Sequence, residues 1–306
     1  MKDVLTAYVA RSSGHAPEFT PLEVHYADFA IWQREALGSV NESESVLGAQ
    51  ASYWRETLRG APELIDLPSD RARPRTQSLS GAHTAVSLPA HTRIAVEAVA
   101  GANAATPFMV LHAAYAVLLS RLSRSTDIVI GSPVAGRGHR VLDDLVGMFV
   151  GTVGLRTTVD PGSTFVDVLR TVRSVDLDAF AHADIPFEQV VDVVAPTRTT
   201  DRHPVFQTMI SFHGAHPTTW DLPGLAVRAH EITPDIAKYD LQFTVVEQTA
   251  EEGGGYEASL TYAKDLFDTD TAESFAVMLE TIVETLTAQP SAVVGDVDLA
   301  GRRLRA

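Results

Sequence analysis

Apolar residues recur at helical spacing through the first part of the chain and predict three helices. In residues 2–13 the apolar side chains fall on one face, with the i, i+3, i+4 pattern of an amphipathic helix. The same spacing occurs over 22–36 and over 46–58, and Gly60 and Pro62, which follow the last segment, are typical of a helix end. We therefore expect a helical N-terminal region.

Beyond residue 76 the hydrophobic pattern alternates between the period of a strand and the period of a helix. The predicted strands cover 83–88, 127–130, 146–159, 205–212, 238–248 and 256–262. The predicted helices cover 106–121, 163–181 and 270–289. Strands and helices are interleaved without a strict strand-helix-strand rhythm, which indicates an α+β fold with a mixed β-sheet flanked by helices.

Residues 68–76 interrupt this pattern. The segment contains two prolines and four charged residues and has little apolar content, a composition that is typical of an irregular connection. We interpret it as a linker between an N-terminal part, 1–67, and a larger C-terminal part, 77–306.

The composition excludes several classes of protein. The 306 residues carry 24 basic and 39 acidic side chains, a formal net charge of −15. This balance argues against nucleic-acid binding, which needs a dense basic surface. No cysteine is present, so disulfides, thiolate zinc sites, iron–sulfur clusters and a cysteine nucleophile are excluded.

The sequence also gives no sign of a membrane span or of a secretion signal. The uncharged stretch 98–120 is interrupted by Asn103, Pro107 and His112, and its dense apolar part is too short to cross a bilayer. We predict a buried core helix there. Because the first residues lack the apolar core of a signal peptide, we expect a cytoplasmic protein.

Only three of the 24 basic residues are lysine, and this bias towards arginine suggests a bacterial source.

Short motifs give no catalytic set and no metal site. His139-x-x-x-Asp143 has the spacing used by some acyltransferases, in which the histidine acts as a base, but a polar loop at a helix start is the favoured interpretation. His182 and Asp184 do not have the i, i+3 or i+4 spacing of metal ligands on a helix. His112 lies in the apolar stretch and is interpreted as a core residue.

Several segments together resemble the condensation domains of nonribosomal peptide synthetases. Four of them match motifs of that family, namely 26–33 (YADFAIWQ), 146–152 (VGMFVGT), 182–188 (HADIPFE) and 202–207 (RHPVFQ). Three more fit in the same order, namely 131–137 (GSPVAGR), 237–241 (AKYDL) and 262–267 (YAKDLF). The resemblance extends over nearly the whole chain.

The resemblance implies a fold like that of chloramphenicol acetyltransferase, with two lobes around a tunnel. In such domains an amine on one carrier protein attacks the acyl thioester on another and forms a peptide bond. The substrates arrive on the phosphopantetheine arms of peptidyl or acyl carrier proteins, and the domain binds no cofactor of its own. An adenylation domain is the expected neighbour in the synthetase.

The family's catalytic motif, His-His-x-x-x-Asp-Gly, does not occur in these 306 residues. We therefore expect 1–67 to be a helical remnant of the first lobe, 68–76 the linker, and 77–306 the complete second lobe. Such a chain supplies half of the substrate tunnel and of the carrier docking surface. We expect no catalytic residue in it and no activity when it is alone.

The resemblance also suggests positions for tunnel and structural residues. The candidate tunnel contacts are Ser132, Gly151, Thr152, Gln207 and Ser211. The candidate structural residues of the motifs are Asp28, Trp32, Arg156, Pro186, Phe187 and Arg202. Gly151 stands where the family usually carries asparagine. It indicates either close approach of a pantetheine arm or a simple packing or bulge glycine.

Two other functions remain open at this point. One is a non-catalytic, condensation-like module that recruits tailoring enzymes. The other is an independent acyltransferase that uses His139 as its base.

Overall fold

The computed structural model describes residues 2–194, 197, 199–215, 219–228 and 234–299. The helices in these residues are α1 (Lys2–Ser12), α2 (Tyr26–Leu37), α3 (Val46–Thr57), α4 (Ala90–Ala102), α5 (Pro107–Ser123), α6 (Phe165–Ala181), α7 (Phe187–Val194) and α8 (Thr269–Ala288). The strands are β1 (Gly81–Leu88), β2 (Asp127–Ala135), β3 (Val150–Thr158), β4 (Thr208–His213), β5 (Thr219–Leu222), β6 (Leu225–Arg228), β7 (Leu241–Glu247) and β8 (Tyr256–Ala263).

Six strands form one mixed sheet in the order β1-β8-β7-β4-β2-β3. β1 pairs with β8, β8 with β7, and β2 with β3 in antiparallel fashion, whereas β4 lies parallel to both β2 and β7. Strands β5 and β6 form a separate hairpin. The predicted α+β fold class with a mixed sheet is confirmed.

One face of the six-stranded sheet carries the main hydrophobic core. Alternate strand residues such as Ile130, Ile210, Phe243 and Leu260 are fully buried on this side, because successive side chains of a strand point to opposite faces. Helices α4, α5 and α8 and the first part of α6 supply the rest of this core. We call this side of the sheet the helix-covered face.

The uncharged stretch 98–120 covers the end of α4 and most of α5, and its dense apolar part forms a buried core helix, α5, as predicted. Thr106 caps this helix by accepting the N–H of Met109 at 3.3 Å, and Pro107 follows at the first position, where a missing N–H costs nothing. Every side chain from Met109 to Ser120 is buried.

Among the described residues no single helix is long and apolar enough to span a membrane. Only α4 and α5 taken together pass that test, and this pair is bent by 103°.

The structure differs from the predicted elements in several places. The predicted helices do not include α7, and β2 extends to Ala135 and not only to residue 130. β3 begins at Val150 and not at residue 146, since Phe149 instead packs in an aromatic cluster with Tyr26 and Phe29. The hydrophobic pattern does not predict α4, because its alanine-rich sequence gives little contrast between its faces. It also does not predict β5 and β6, which have only four residues each.

The predicted linker, 68–76, is an irregular connection that is held in place by side-chain bonds. The Asp70 carboxylate accepts the backbone N–H of Asp268 at 2.7 Å. Arg73 forms an ion pair with Asp240, whose side chain is 1% exposed. We call residues 68–76 the connector, and these bonds fix it against the start of β7 and the start of α8.

The described residues cluster into two compact units. The smaller unit lies within 1–36, 137–149 and 216–234, and the larger unit lies within 37–136, 150–215 and 235–306. The predicted assignment of 1–67 to a first lobe and of 77–306 to a second lobe says which lobe of a condensation domain each segment corresponds to. This assignment stays a prediction.

Candidate functional site

The second face of the six-stranded sheet carries a group of six uncharged polar side chains. The residues that define it are Thr152 of β3, Ser211 of β4, Gln242 and Thr244 of β7, and Ser259 and Thr261 of β8, all of them buried or half-buried. We call these six residues the polar face. Parallel strands are usually covered by apolar residues on both faces, so hydroxyl and amide groups along β4 and β7 indicate that this surface has another use.

The strand register brings these groups into rows across the sheet. Ser211 lies opposite Thr244, which in turn lies opposite Ser259. In the next row Gln242 lies opposite Thr261, and its amide donates to the hydroxyl of Thr244 at 3.2 Å. The six side chains are donors and acceptors without charge. These six residues can therefore bind neutral groups such as amides. On the same side of the sheet the register also places His213 and Glu257 opposite Val246, and His83 opposite Thr261.

The structure divides the predicted tunnel residues between the two faces of the sheet. Thr152 and Ser211 belong to the polar face. Ser132 is buried on the helix-covered face, since it continues the alternation of Ile128 and Ile130 along β2. The same alternation was present in the sequence and could have separated Ser132 from the other candidates.

Gly151 lies on the helix-covered face, opposite Val134. Among the described residues, a Cβ atom at Gly151 meets only the carbonyl oxygen of Ala183, at 3.7 Å, which is an ordinary contact. At Gly131 a Cβ atom lies 2.1 Å from the ring of Phe206, so that glycine is required by packing. Packing does not require glycine at position 151. Close approach of a substrate arm there stays a prediction.

Gln207 uses both ends of its side-chain amide to hold the segment before the connector. Its Oε1 accepts the N–H of Ile65 at 3.0 Å, and its Nε2 donates to the carbonyl oxygens of Glu63 at 3.1 Å and His203 at 3.0 Å. Arg202 reaches the carboxylate of the same Glu63 at 3.7 Å. These contacts give Gln207 and Arg202 a holding role, while contact of Gln207 with a tunnel stays a prediction.

The turn between α6 and α7, residues 182–186, is held by side chains of α3. Trp54 donates from Nε1 to the carbonyl oxygen of His182 at 2.9 Å. Gln50 donates to the carboxylate of Asp184 at 2.8 Å and accepts the N–H of Ile185 at 3.0 Å. Neither α3 residue is predictable from the sequence, because their partners are more than 120 positions away in the chain. We call residues 182–186 the α6–α7 turn.

Pro186 and Phe187 begin α7 and fasten it to the rest of the larger unit. The carbonyl oxygen of Pro186 accepts the N–H of Gln189 at 2.9 Å. The Phe187 ring packs 5.3 Å from the ring of Phe206 and 5.5 Å from that of His203. Burial lowers the pKa of His203, so this histidine is neutral near pH 7 and packs as an aromatic ring.

Arg156 joins the start of β2 to the end of α3. Its guanidinium donates twice to the carboxylate of Asp127, at 2.9 and 2.7 Å, and also to the carbonyl oxygens of Thr57 at 2.9 Å and Arg59 at 2.8 Å. The hydrogen bonds to Asp127 raise the pKa of Arg156. A planar fork of donors is needed to make all four bonds together.

We expect Arg156→Lys to lower the free energy of unfolding by about 2 kcal/mol, because a lysine cannot bind the carboxylate and both carbonyl groups at once. Urea unfolding measures this loss. Arg170→Lys is the matched control, since the Arg170 pair with Asp167 is exposed and its loss costs at most about 0.5 kcal/mol. Equal losses in the two variants contradict a holding role for Arg156.

Asp28 and Trp32 lie in the smaller unit. The Asp28 carboxylate accepts the N–H of His25 at 2.8 Å and so caps the start of α2. The Trp32 side chain is 59% exposed. In the same unit the hydroxyl of Tyr26 donates to the carbonyl oxygen of Met148 at 2.9 Å, and this bond brings two of the motifs from the sequence into contact.

The alternative catalytic base, His139, caps a short turn, and its use as a base stays a prediction. Its Nδ1 accepts the N–H of Val141 at 3.3 Å and caps the short 3₁₀ turn over Arg140–Leu142. No hydrogen bond joins His139 to Asp143 in the part of the chain that the structure describes. Within those same residues no group of three or more acidic or histidine side chains is placed to hold a metal ion.

Comparison with known proteins gives a consistent result. The sequence profile of the condensation-domain family matches residues 1–305. The chain is 39% identical over 300 residues to CymA of Salinispora arenicola, described as a probable non-canonical nonribosomal peptide synthetase. The matched region covers 97% of this chain and 4% of CymA. It is also 38% identical over 302 residues to the dimodular nonribosomal peptide synthase of Bacillus subtilis, and this match covers 97% of the chain and 13% of the synthase. The chain thus spans a small part of these relatives.

A solved structure with a similar fold is the complex of the X-domain and OxyB from teicoplanin biosynthesis. The matching chain has a TM-score of 0.86 and 31% sequence identity, and the match covers 97% of this chain and 65% of that chain. About a third of the solved chain therefore has no counterpart in these 306 residues.

Proposed function

The chain belongs to the condensation-domain family of nonribosomal peptide synthetases, and from this premise we propose that it forms the C-terminal part of such a domain. In this role it takes part in peptide-bond formation between carrier-bound acyl or peptidyl and aminoacyl thioesters. It contributes one wall of the substrate tunnel and part of the carrier docking surface, while the first lobe contributes the catalytic histidine.

The observation that carries this proposal is the polar face of the sheet. Ser211, Gln242 and Thr244 lie on the central strands β4 and β7, where polar side chains are unusual. Neutral donors and acceptors match the amide groups of a pantetheine arm. The six side chains are themselves neither acids nor bases, which agrees with a wall that orients a substrate while another part of the domain supplies the proton transfer.

The partners of this role are peptidyl and acyl carrier proteins, which bring their substrates on phosphopantetheine, together with the missing first lobe and an adjacent adenylation domain. No cofactor of its own is required. The proposed setting is the cytoplasm, where the synthetase meets its carrier-bound substrates.

We expect residues 1–306 alone to form no peptide product from loaded donor and acceptor carrier proteins, because they contain no His-His-x-x-x-Asp-Gly motif. Adding a purified first lobe that carries this motif restores product formation. Mass spectrometry of the acceptor carrier measures both results. Multiple turnover by residues 1–306 alone contradicts the proposed division of labour.

A matched pair of variants tests the polar face in the restored assay. Thr152→Val removes a hydroxyl from the polar face, whereas Ser132→Ala removes one from the helix-covered face of a neighbouring strand. We expect the first to lower kcat/KM about tenfold, the effect of one lost hydrogen bond to the substrate, and the second to leave it unchanged. Equal kcat/KM values for the two variants contradict a substrate-binding polar face.

A recruitment module is the second candidate, and the likeness to the teicoplanin X-domain favours it. That X-domain was solved in complex with OxyB. A chain with the same role forms a one-to-one complex with a purified tailoring oxygenase from its own biosynthetic system, and it keeps this complex when the first lobe is absent. Sedimentation of the mixed proteins distinguishes this role, and no complex is expected for the condensation role.

A further inference from the structure

A histidine and an aspartate are paired inside the hydrophobic core, away from the polar face. His112 of α5 and Asp176 of α6 are each 0% exposed, and Nδ1 of His112 lies 2.9 Å from Oδ1 of Asp176. The other polar atoms of the pair, Nε2 of His112 and Oδ2 of Asp176, are buried and have no hydrogen-bond partner in the described residues. The pair is therefore only half satisfied.

The pair stands where two hydrophobic clusters meet. On α6, Asp176 follows Val172, which belongs to the core of the helix-covered face, and precedes Ala179, which belongs to the cluster around Trp54 and the α6–α7 turn. Phe108 packs against both clusters, and its ring lies 6.0 Å from that of His112. The hydrogen bond between His112 and Asp176 therefore lies at the boundary between the two clusters.

Stability alone does not explain such a pair. Two buried polar groups lose their hydration on folding, and apolar residues of similar volume are often at least as stable in the same place. A hydrogen bond differs from apolar contact because it has a direction and a short range. It can therefore fix the position of one helix along another, which apolar side chains specify less sharply.

The position of α6 matters because the α6–α7 turn begins directly after it. Asp176 is followed by little more than one helical turn before α6 ends at Ala181. His182 then donates from Nδ1 to the carbonyl oxygen of Asp178 at 2.7 Å and stacks on Tyr53 of α3 with ring centres 3.8 Å apart. A shift of α6 carries this whole arrangement with it.

We propose that His112 and Asp176 are a positioning pair, which fixes α6 along α5 and thereby sets the place of the α6–α7 turn. The pair trades some stability for this positional control. The inference is independent of the proposed role in peptide-bond formation, because it concerns the structure of the larger unit and can be tested on the chain alone.

Native-state hydrogen exchange tests the proposal. His112→Leu, Asp176→Leu and the double variant are compared with the unchanged chain at residues 177–186 and at β7, a central strand. The single variants lower Tm by about 5–15 °C, since each leaves a buried partner unpaired, whereas the double variant recovers most of this loss. In the double variant, exchange at 177–186 still rises at least about tenfold relative to β7.

Two controls make the outcome specific. Asp176→Asn keeps an acceptor for His112, and we expect its exchange at 177–186, relative to β7, to stay within about twofold of the unchanged chain. Thr92→Val removes a buried hydroxyl of α4 that has no hydrogen-bond partner in the described residues, and it leaves the α6–α7 turn unaffected. Equal acceleration at 177–186 and at β7 in the double variant overturns the proposal, and so does loss of protection in Asp176→Asn as large as in Asp176→Leu.

Discussion

Arg73→Met lowers the free energy of unfolding by about 3–5 kcal/mol at pH 7, the cost of leaving a buried charge without its partner. The Asp240 side chain is 1% exposed and that of Arg73 is 17% exposed. The guanidinium spans both oxygens of the Asp240 carboxylate and donates in addition to the carbonyl oxygen of Asp201 at 3.3 Å. Methionine keeps the volume of the arginine stem but satisfies none of these acceptors.

The loss in Arg73→Met depends on pH in a defined direction. Burial raises the pKa of Asp240 above its usual value, and this effect outweighs the lowering by Arg73. A carboxyl group with a raised pKa in the folded state binds its proton more readily there than in the unfolded chain, so its protonation favours folding as the pH falls. Without Arg73 the pKa rises further. The deficit of the variant is therefore larger at pH 7 than at pH 4.

Urea unfolding at pH 7 and pH 4 measures both effects. Arg71→Met is the matched control, because Arg71 lies in the same connector and pairs with Asp268, but both of these side chains are about half exposed. Its loss costs at most about 1 kcal/mol. If the two variants lose the same free energy, the Arg73–Asp240 pair is not a buried anchor of the connector.

Gly131→Ala lowers the free energy of unfolding by about 3 kcal/mol, at the upper end of the usual cost of overpacking a core. The new methyl group lies 2.1 Å from a ring carbon of Phe206, and this ring is 1% exposed and packed between its neighbours. Neither β2 nor the ring can move far without disturbing the other. The glycine therefore makes room for the aromatic ring of the 202–207 motif.

Gly151→Ala in the adjacent strand is the control for this prediction. Its new methyl group makes an ordinary contact with Ala183, and alanine restricts the unfolded chain more than glycine does, so we expect no loss or a gain of up to about 1 kcal/mol. Urea unfolding of both variants measures the two changes in the free energy of unfolding. A loss at Gly151 as large as at Gly131 contradicts the distinction that we draw between them.

The sequence alone predicted most of the fold, because hydrophobic periodicity is a local signal. It placed α5, α6 and α8 and the strands of the sheet close to their observed positions. It failed where the decisive partner is remote in the chain. Phe149 leaves the predicted strand for contacts with Tyr26 and Phe29, more than a hundred residues away, and no local pattern records such a contact.

The candidate site was predictable only in part for the same reason. Family motifs pointed to Thr152 and Ser211, which the structure places on the polar face, but also to Ser132, which faces the helices. Strand alternation could have separated these cases. The pairing of Arg73 with Asp240 and of His112 with Asp176 joins residues 167 and 64 positions apart, and one sequence does not show which charged residues meet.

The bonds of the connector bear on how synthetases can be recombined. A fusion point inside 68–76, after Arg73, takes the arginine from one parent enzyme and Asp240 from the other. Such a hybrid keeps its anchor only when both parents carry the pair. A fusion point upstream of Glu63 transfers Arg73, Asp240 and the segment held by Gln207 together. The exchanged piece then contains both partners of the ion pair and of the Gln207 hydrogen bonds.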